Sequence, residues 1–364
     1  MRSRRPRSVL ITGGAGFIGS NLAERLLSQP EVHVRIFDNL SRSGVAHNLD
    51  WLRSLPGNSR LSFLTGDVRD ESAVVEAARD VTEIYHLAAQ VAVTTSVADP
   101  RSDFEVNALG TLNVLEAARR SPSRPSVLFT STNKVYGSLE SVPVRIENTS
   151  YRALDPDFRG VTESQTLDFH SPYGCSKGAA DQYVRDYARI FDLPTVVFRM
   201  SCIAGPRQFG NEDQGWVAHF LYSVLEGKPI TVYGNGFQVR DVLHVSDLID
   251  GMTSAVSTIS RTSGQVFNVG GGPERAVSVL EMLRAIEQET GMEPDLRYSD
   301  TRPGDQPLYV SDINKLFLST GWTPRHSLAE TLESIRIFWQ ENRQLVSSQR
   351  APQPAPDLVA EEVA

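Results

Sequence analysis

The chain has 364 residues, of which 36 are basic and 44 acidic, giving a formal net charge of −8. This length suits one large domain with a smaller one, and the negative charge argues against nucleic acid or an anionic membrane as a general partner. No stretch is apolar enough to span a membrane, the two cysteines form no C-x-x-C pair, and the seven histidines lack metal-ligand spacing, so we expect a cytoplasmic protein without disulfides or a metal site.

The first predicted strand, residues 9–11, leads into the loop T-G-G-A-G-F-I-G at residues 12–19 and then into a helix with apolar residues at helical spacing. In this context a G-x-G-x-x-G pattern predicts dinucleotide binding, because bare backbone lets a pyrophosphate approach the helix N-terminus. No Gly-Lys-Ser/Thr follows, which argues against a nucleoside-triphosphate loop. The predicted cofactor contacts in this segment are Gly13, Gly16, Phe17, Ile18 and Gly19.

The second predicted strand, residues 32–37, ends at Asp38, near the distance at which an acidic residue meets the adenosine ribose. A carboxylate there accepts the ribose hydroxyls and repels a 2′-phosphate, so the sequence favours NAD over NADP, although Arg42 keeps NADP open. After a third strand, residues 61–64, Asp67 and Val68 are expected at the adenine edge. Without the glycine loop, Asp38 and the Gly66-Asp67-Val68 triplet would indicate only turns.

Further strands at residues 84–89, 126–130 and 194–198 alternate with helices, which is typical of a parallel sheet covered on both faces. After Arg199 the pattern changes to Gly- and Pro-rich segments with short helices. We therefore predict an α/β fold, a Rossmann-type doubly wound parallel sheet with a smaller mixed C-terminal substrate lobe.

The expected boundaries follow this change of pattern. They are an NAD-binding domain over residues 8–198, joined by returning segments near 239–250 and 264–270, a substrate-binding lobe over 199–340, and a tail over 345–364. The tail is rich in Pro, Ala and acidic residues and is predicted to be disordered.

Tyr173 and Lys177 are four residues apart in the run S-P-Y-G-C-S-K. Residues at this spacing share a helix face, so we expect the Lys177 ammonium to lie beside the Tyr173 phenol and to lower its pKa from about 10. A phenolate beside a dinucleotide can take a proton from a sugar hydroxyl while the carbon gives a hydride to the nicotinamide. Such pairs also occur by chance, and the glycine loop is what favours redox chemistry on an alcohol.

These features resemble the extended short-chain dehydrogenase/reductases that modify nucleotide sugars, over roughly residues 8–340. The glycine loop and the Tyr/Lys pair are common to that whole family. Three more particular segments are similar to its branch of CDP-sugar 2-epimerases: T-S-T-N-K-V-Y-G at 130–137, H-S-P-Y-G-C-S-K at 170–177 and N-E-D-Q-G-W-V-A-H at 211–219.

The resemblance implies a Rossmann fold, a tightly held NAD, and a homodimer or homotetramer that pairs through helices near residues 101–119 and 172–191. It implies Thr132, Tyr173 and Lys177 as the catalytic residues. The further cofactor contacts that it implies are Asn39, Leu87, Ala88, Ala89, Gln90 and Asn107. The implied contacts to a nucleotide-sugar substrate are Asn133, Lys134, Gln208, Gln214, Gly215, Val217, Arg240 and Arg302.

The two positions after Thr132 separate this chain from its relatives. The 4,6-dehydratases of the family carry Asp-Glu there to expel water, and the 4-epimerases usually carry small residues, whereas this chain has Asn133 and Lys134. Two long polar side chains are expected to hold the sugar hydroxyls so that a different carbon faces the nicotinamide. The alternative is that they only cap the local loop.

The resemblance therefore implies an epimerase that inverts carbon 2 of a CDP-hexose, such as CDP-paratose, through a transient keto sugar. A 4-epimerase or another oxidoreductase of UDP- or GDP-sugars stays open. So does a cofactor-binding regulator without turnover, against which the intact Thr132, Tyr173 and Lys177 count.

One position departs from the family pattern. Many relatives have Asn three residues after the arginine that corresponds to Arg199, and this chain has Cys202. That asparagine often helps to hold the pyrophosphate, so its task is expected to pass to backbone amides or to Arg240 and Arg302, since guanidinium groups match phosphate oxygens. Arg207 is a weaker candidate.

Overall fold

The computed structural model describes residues 7–301 and 305–350. The strands in chain order are β1 (Arg7–Thr12), β2 (Val32–Asp38), β3 (Leu61–Thr65), β4 (Glu83–His86), β5 (Ser126–Thr132), β6 (Val144–Glu147), β7 (Ser150–Ala153), β8 (Thr195–Met200), β9 (Cys202–Ala204), β10 (Ile230–Tyr233), β11 (Val239–His244), β12 (Gln265–Val269), β13 (Ala276–Ser278), β14 (Leu296–Ser299) and β15 (Leu308–Tyr309).

The α-helices are α1 (Phe17–Leu27), α2 (Val45–Ser54), α3 (Glu71–Ala77), α4 (Val93–Ala98), α5 (Pro100–Phe104), α6 (Gly110–Arg120), α7 (Ser171–Phe191), α8 (Trp216–Leu225), α9 (Val245–Ser257), α10 (Ile259–Thr262), α11 (Val279–Thr290), α12 (Asn314–Thr320), α13 (Leu328–Glu341) and α14 (Arg343–Gln349). Short 3₁₀ turns cover Asn58–Arg60, Asn133–Tyr136 and Pro273–Arg275, and a π-helical turn covers Glu105–Leu109.

Seven parallel strands form the main sheet in the order β3-β2-β1-β4-β5-β8-β12. Strand β1 lies in the interior of the sheet and is buried there. Its residue Ile11 pairs with Ile36 of β2 on one side and with Tyr85 of β4 on the other, and all three residues are fully buried. Apolar residues on both faces of a strand require helices on both faces of the sheet.

Helices cover both faces of this sheet. One layer packs α1, α2 and α9 against it through residues such as Leu22, Leu49 and Met252. The opposite layer packs α3, α6 and α7 through residues such as Val74 and Val114. The predicted Rossmann-type doubly wound sheet is confirmed.

The smaller lobe is mixed, as predicted. Strand β11 pairs antiparallel with β13 and parallel with β9 and β15, and β10 pairs parallel with β14. Helices α8, α11 and α13 bury one apolar cluster against these strands, with Leu221, Met282 and Ile335 among its fully buried members. Of the segments expected to return to the first domain, β12 lies at the edge of the main sheet and α9 packs on α1, whereas β11 lies in the small sheet.

The helix expected near residues 101–119 is interrupted. It consists of α5, the π-helical turn at Glu105–Leu109 and α6. Single π-helical turns inside α-helices are frequent at functional sites, and this one carries the predicted cofactor contact Asn107.

Part of the predicted tail is helical. In α14, Gln349 Oε1 accepts a hydrogen bond of 2.6 Å from Ser43 Oγ, in the loop before α2. The next residue, Arg350, donates to His219 O at 3.3 Å and to Ser223 Oγ at 2.7 Å, both on α8. Residues 351–364 lie outside the described part of the chain.

Among the helices within residues 7–301 and 305–350, none combines the length and the apolar character that a bilayer crossing requires.

Candidate active site

A cavity of about 610 Å³ opens at the carboxyl ends of the central strands, where open α/β sheets bind their ligands. Fifteen predicted cofactor contacts line it: Gly13, Gly16, Phe17, Ile18, Gly19, Asp38, Asn39, Asp67, Val68, Leu87, Ala88, Ala89, Gln90, Tyr173 and Lys177. The predicted contact Asn107 lies behind this wall, where it exchanges hydrogen bonds of 3.0 Å with the backbone of Gln90. One elongated cavity thus joins the glycine loop to the Tyr/Lys pair.

The glycine loop has no room for side chains. A Cβ atom on Gly13, whose φ is +69°, would lie 2.7 Å from Ala88 N, and one on Gly19 would lie 2.4 Å from Gly13 O. The loop is therefore bare backbone, and Gly16 is the N-cap of α1 without a side chain over the first amides. Free amides at the start of an 11-residue helix fit a diphosphate.

The carboxylate of Asp38 is fixed by two backbone amides. Its Oδ2 accepts from Ala15 N at 3.1 Å and its Oδ1 accepts from Leu40 N at 2.9 Å, while burial raises the pKa of the carboxyl. Each oxygen keeps acceptor capacity toward the cavity, which fits a ribose diol. Arg42 also lines the cavity and interacts electrostatically with Asp38 and Tyr173.

Asp67, at the predicted adenine edge, already has strong partners. Arg69 donates to both of its oxygens at 2.9 Å, and Asn39 Nδ2 donates to Oδ2 at 2.9 Å. The Arg69 hydrogen bonds are the main cause that lowers the pKa of Asp67 to about 2. This pair lines the end of the cavity where the adenine is predicted, and sequence reasoning missed Arg69.

Thr132 and Tyr173 meet where β5 ends and α7 begins. The Thr132 hydroxyl lies close enough to the Tyr173 phenol to lower the pKa of that group, and both residues are buried. The Lys177 ammonium lies 4.1 Å from the centre of the Phe129 ring on β5. Tyr173 and Lys177 therefore line one end of the cavity, and Thr132 lies next to Tyr173 at the end of β5.

The electrostatics of this trio differ from the sequence expectation. Burial raises the pKa of Tyr173 to about 12, and the groups that oppose it are the Thr132 hydrogen bond and the charge of Arg42 rather than Lys177. Burial also lowers the pKa of Lys177 to about 7. The two residues share a helix face, but the lysine extends toward the aromatic ring of Phe129, so the protein's own groups keep the phenol protonated.

Behind the trio lies a buried ion pair that the sequence did not indicate. Arg199 donates from Nε to Asp181 Oδ2 at 2.8 Å and from Nη2 to Asp181 Oδ1 at 2.9 Å. Arg199 also donates to Tyr136 Oη at 3.0 Å, and Tyr136 in turn donates to Asn268 Oδ1 at 2.7 Å. This network fixes α7 against β8 and β12.

The side chains of Asn133 and Lys134 reach across to a distant segment. Asn133 Nδ2 lies 3.5 Å from Gln306 Oε1, and Lys134 Nζ lies 3.7 Å from Asp305 Oδ1. Arg240 donates to the same Asp305 oxygen at 2.6 Å. Thr132, not these two residues, caps the 3₁₀ turn, since its hydroxyl accepts from Lys134 N at 3.2 Å.

The other predicted substrate contacts are dispersed. Gln214 lines the cavity, Gly215 precedes α8 with a φ of +71°, and Val217 is buried in the core of the small lobe. Gln208 Nε2 donates to Ile203 O at 3.2 Å, while its Oε1 is buried without a hydrogen-bond partner among the described residues. Arg302 lies outside the described residues.

Two residues discussed for the pyrophosphate have other contacts. Cys202 Sγ lies 3.2 Å from Trp216 Nε1, which donates to it, and burial raises the pKa of the thiol. The Arg207 guanidinium lies 3.1 Å from the centre of the Trp51 ring. Of the arginines considered for the pyrophosphate, Arg240 contacts Asp305 together with Lys134, whereas Arg207 does not.

Comparison with known proteins agrees with this geometry. A family model described as GDP-mannose 4,6 dehydratase matches residues 10–335. The chain belongs to this family of extended short-chain dehydrogenase/reductases. A CDP-paratose 2-epimerase of Salmonella typhi is 45% identical over 339 residues, which cover 90% of this chain and 97% of that protein.

Solved structures of this family show the same fold. The UDP-glucuronic acid 4-epimerase of Bacillus cereus, in complex with UDP-glucuronic acid and NAD, has a TM-score of 0.78 and 27% identity, covering 92% of this chain and 99% of that one. The dTDP-glucose 4,6-dehydratase DesIV of Streptomyces venezuelae, with NAD and TYD bound, has a TM-score of 0.80 and 28% identity, covering 94% and 100%. Family members of this fold therefore include both epimerases and dehydratases.

Proposed function

We propose that the chain is an NAD-dependent nucleotide-sugar epimerase that inverts carbon 2 of a CDP-deoxyhexose, converting CDP-paratose to CDP-tyvelose. The observation that carries the proposal is that Tyr173 and Lys177 line the cavity with Thr132 beside Tyr173, and that Asn133 and Lys134 stand in place of the dehydratase acids. The 45% identity to a CDP-paratose 2-epimerase supports the choice of carbon and nucleotide.

The residues around the cavity fit NAD. The bare loop at residues 13–19 would hold the diphosphate, Asp38 the adenosine ribose, and Tyr173 with Lys177 the nicotinamide end. When bound, NAD supplies a hydride acceptor that also returns the hydride, together with a positive charge near Tyr173.

Tyr173 is the proposed acid and base. Its phenol takes the proton of the carbon 2 hydroxyl and later returns it, with Thr132 donating a hydrogen bond to the sugar oxygen. Because the pKa of Tyr173 is raised to about 12, chiefly by burial, the phenol needs positive charge nearby to act as a base, and Arg42 is a cation that already opposes this rise. Inversion requires that the keto sugar present its other face before it is reduced.

We propose that the cluster of Asn133, Lys134, Asp305 and Gln306 binds the sugar so that carbon 2 faces the nicotinamide. Asp305 is shared between Lys134 and Arg240, so one carboxylate holds both cations in place. Burial lowers the pKa of Lys134 to about 8. Neither Asn133 nor Lys134 is a carboxylic acid that could protonate a leaving hydroxyl as the dehydratase pair does, so elimination of water is not expected.

The function is tested by incubating the purified protein with CDP-, UDP- and GDP-hexoses and following the configuration of every sugar carbon by NMR. Inversion at carbon 2 of the CDP-sugar is expected. Inversion at carbon 4 of a UDP-sugar would replace the proposal by a 4-epimerase, and loss of water would indicate a dehydratase.

Protein purified without added cofactor is expected to carry NAD, because a cycle that returns its own hydride gains nothing by releasing the dinucleotide. Denaturation followed by chromatography of the released nucleotide measures the content. Cofactor-free protein that depends strictly on added NADP would contradict both retention and the role given to Asp38.

We propose a homodimer or homotetramer that pairs through α5, α6 and α7. Large apolar side chains are exposed on this side of the subunit, among them Phe104 at 57%, Tyr183 at 50% and Ile190 at 65%. Exposed apolar side chains on these helices suit a protein partner, and sedimentation velocity measures the assembly.

The free thiols of Cys175 and Cys202 suit a reducing compartment, and we propose the cytoplasm as the location.

A further inference from the structure

A buried histidine joins the start of the glycine loop to α6. His86 is the last residue of β4 and is 1% exposed. Its Nδ1 lies 2.7 Å from the hydroxyl of Thr12, which ends β1 directly before Gly13. Its Nε2 lies 3.0 Å from the hydroxyl of Thr111, in the first turn of α6. The ring thus contacts one hydroxyl on each side, and the mechanism above gives it no part.

The directions of these two hydrogen bonds follow from a third. The Thr111 hydroxyl donates its one proton to Asn107 O at 2.6 Å, so toward His86 it can only accept. His86 therefore carries a proton on Nε2 and donates it to Thr111. In a neutral ring Nδ1 is then unprotonated, and it accepts from the Thr12 hydroxyl. One neutral tautomer of the imidazole satisfies both hydroxyls.

The surroundings keep this ring neutral. Burial, together with the Lys177 ammonium, lowers the pKa of His86 to about 3. The Phe129 ring lies near both residues, with its centre 5.6 Å from that of the His86 ring and 4.1 Å from Lys177 Nζ. A second proton, on Nδ1, would also take away the acceptor of the Thr12 hydroxyl. The imidazole is therefore a fixed donor and a fixed acceptor, unlike a surface histidine, which titrates near a pH of about 6.5.

One end of this series of hydrogen bonds lies at the cofactor loop. Thr12 Oγ1 also accepts from Ala88 N at 3.4 Å, and Leu87 N donates to Thr12 O at 3.0 Å. Leu87 and Ala88 line the cavity, and so does the glycine that follows Thr12. The bond from Thr12 to His86 therefore helps to fix the start of the glycine loop against the end of β4.

The other end of the series lies at α7, the helix of the proposed acid and base. Asn107, whose carbonyl accepts from Thr111, belongs to the π-helical turn. Its Nδ2 donates to Gln90 O at 3.0 Å and to Ser176 Oγ at 3.1 Å. Ser176 lies on α7, directly before Lys177. Asn107, Thr111 and Ser176 are each at most 3% exposed, so water does not compete for the bonds between them.

We propose that His86 is a positioning residue that fixes the glycine loop relative to the start of α7. Its Nδ1 acts on the cofactor side and its Nε2 acts on the side of α7. Loss of either bond leaves a buried polar group unpaired and disturbs the side to which that group belongs. The hydrogen bonds are a property of the protein alone, and only their effect on turnover rests on the proposed function.

The tautomer is measured directly by NMR of protein labelled with ¹⁵N-histidine. The chain has seven histidines, and the signal lost in His86→Gln identifies His86. We expect a protonated Nε2, an unprotonated Nδ1 and no titration between about pH 5 and pH 8, the range in which an ordinary histidine changes its charge. A proton on Nδ1, or a titration midpoint within that range, would overturn the inference without any substrate.

Two amide side chains separate the two sides, because each reproduces one ring nitrogen. His86→Asn places an oxygen near the position of Nδ1, so it can still accept from Thr12, but it does not reach Thr111. His86→Gln places its amide nitrogen near the position of Nε2, so it can still donate to Thr111, but it offers Thr12 no acceptor. A histidine that served only the stability of the fold would give the same result in both variants.

In His86→Gln we expect NAD to leave the purified protein about tenfold faster, with a smaller change in kcat at saturating NAD. In His86→Asn we expect kcat to fall about tenfold, with a smaller change in the release of NAD. Chromatography of the nucleotide that stays bound during dialysis measures release without any sugar, and steady-state kinetics measure kcat.

His244 is the matched control, because it makes similar bonds and does not line the cavity. Its Nδ1 accepts from Ser246 N at 3.1 Å, and its Nε2 lies 3.1 Å from Ser334 Oγ. His244→Asn and His244→Gln are expected to change thermal stability while NAD release and kcat stay as in the wild type.

An equal or reversed response of His86→Asn and His86→Gln would overturn the inference, as would no response in either. If His86→Asn does not fold, Thr111→Val replaces it, and Thr12→Val replaces His86→Gln in the same way, since each keeps the shape and removes one hydroxyl. A wrong proposed function has a different signature: no nucleotide sugar is turned over, while the tautomer and the NAD release are as expected.

Discussion

Replacing Tyr173 by phenylalanine is expected to lower kcat by a factor of about 10²–10⁴, the range that a positioned acid or base contributes. The change removes the hydroxyl at the sugar end of the cavity and keeps the ring in its buried place. Since the change keeps the buried ring and removes one hydroxyl, the free energy of unfolding is expected to change by no more than about 1 kcal/mol. Steady-state kinetics and thermal unfolding measure the two effects.

Tyr136→Phe is the matched control, because Tyr136 is also a buried tyrosine close to Thr132. Its hydroxyl donates to Asn268 Oδ1 and accepts from Arg199, so its loss leaves two buried groups unpaired. We expect the free energy of unfolding to fall by about 1–3 kcal/mol with little change in kcat. Turnover of Tyr173→Phe close to that of the wild type would assign the base to another residue.

Deuterium at carbon 2 of a CDP-hexose is expected to remain at carbon 2 in the epimerised product, and reaction in heavy water is expected to leave that carbon unlabelled. The reason is the pair Asn133 and Lys134, which removes the carboxylic acids of the dehydratases, together with the retained Tyr173. In the proposed cycle the phenol accepts and returns only the proton of the hydroxyl group, which exchanges with water. The hydrogen bound to carbon 2 leaves and returns as hydride.

Mass spectrometry and NMR of the product distinguish the two paths. The product must also show inverted stereochemistry at carbon 2, since epimerisation at carbon 3 or 4 would leave the deuterium at carbon 2 in place as well. Solvent deuterium at carbon 2 would mean proton abstraction from carbon. That result would refute the hydride mechanism and leave the assignment to nucleotide-sugar enzymes.

The cofactor end of the site was predictable because it is local in sequence. A strand, a bare loop and a helix N-terminus lie within residues 9–27, and backbone sterics at Gly13 and Gly19 dictate their arrangement. Asp38 ends the next strand, and parallel pairing of β1 with β2 brings it to the same edge. The roles of these residues stay predictions, but their convergence on one cavity is observed.

The rest depended on long-range contacts that no spacing indicates. Asp305 and Gln306 meet Asn133 and Lys134 only because β11 and β15 pair across the small lobe. The charge state of Tyr173 was expected to follow from Lys177 at helical spacing, but desolvation outweighs that pairing once the fold is complete. Helical spacing predicts which residues share a face, not where a long side chain places its charge.

The short helix α14 and the residue after it link two parts of the subunit. Gln349 binds Ser43 in the loop before α2, and Arg350 binds His219 and Ser223 on α8 of the small lobe. A motion that parted the small lobe from this loop would have to break the hydrogen bonds at one end of this segment. The end of the described chain therefore resists separation of α8 from the loop before α2.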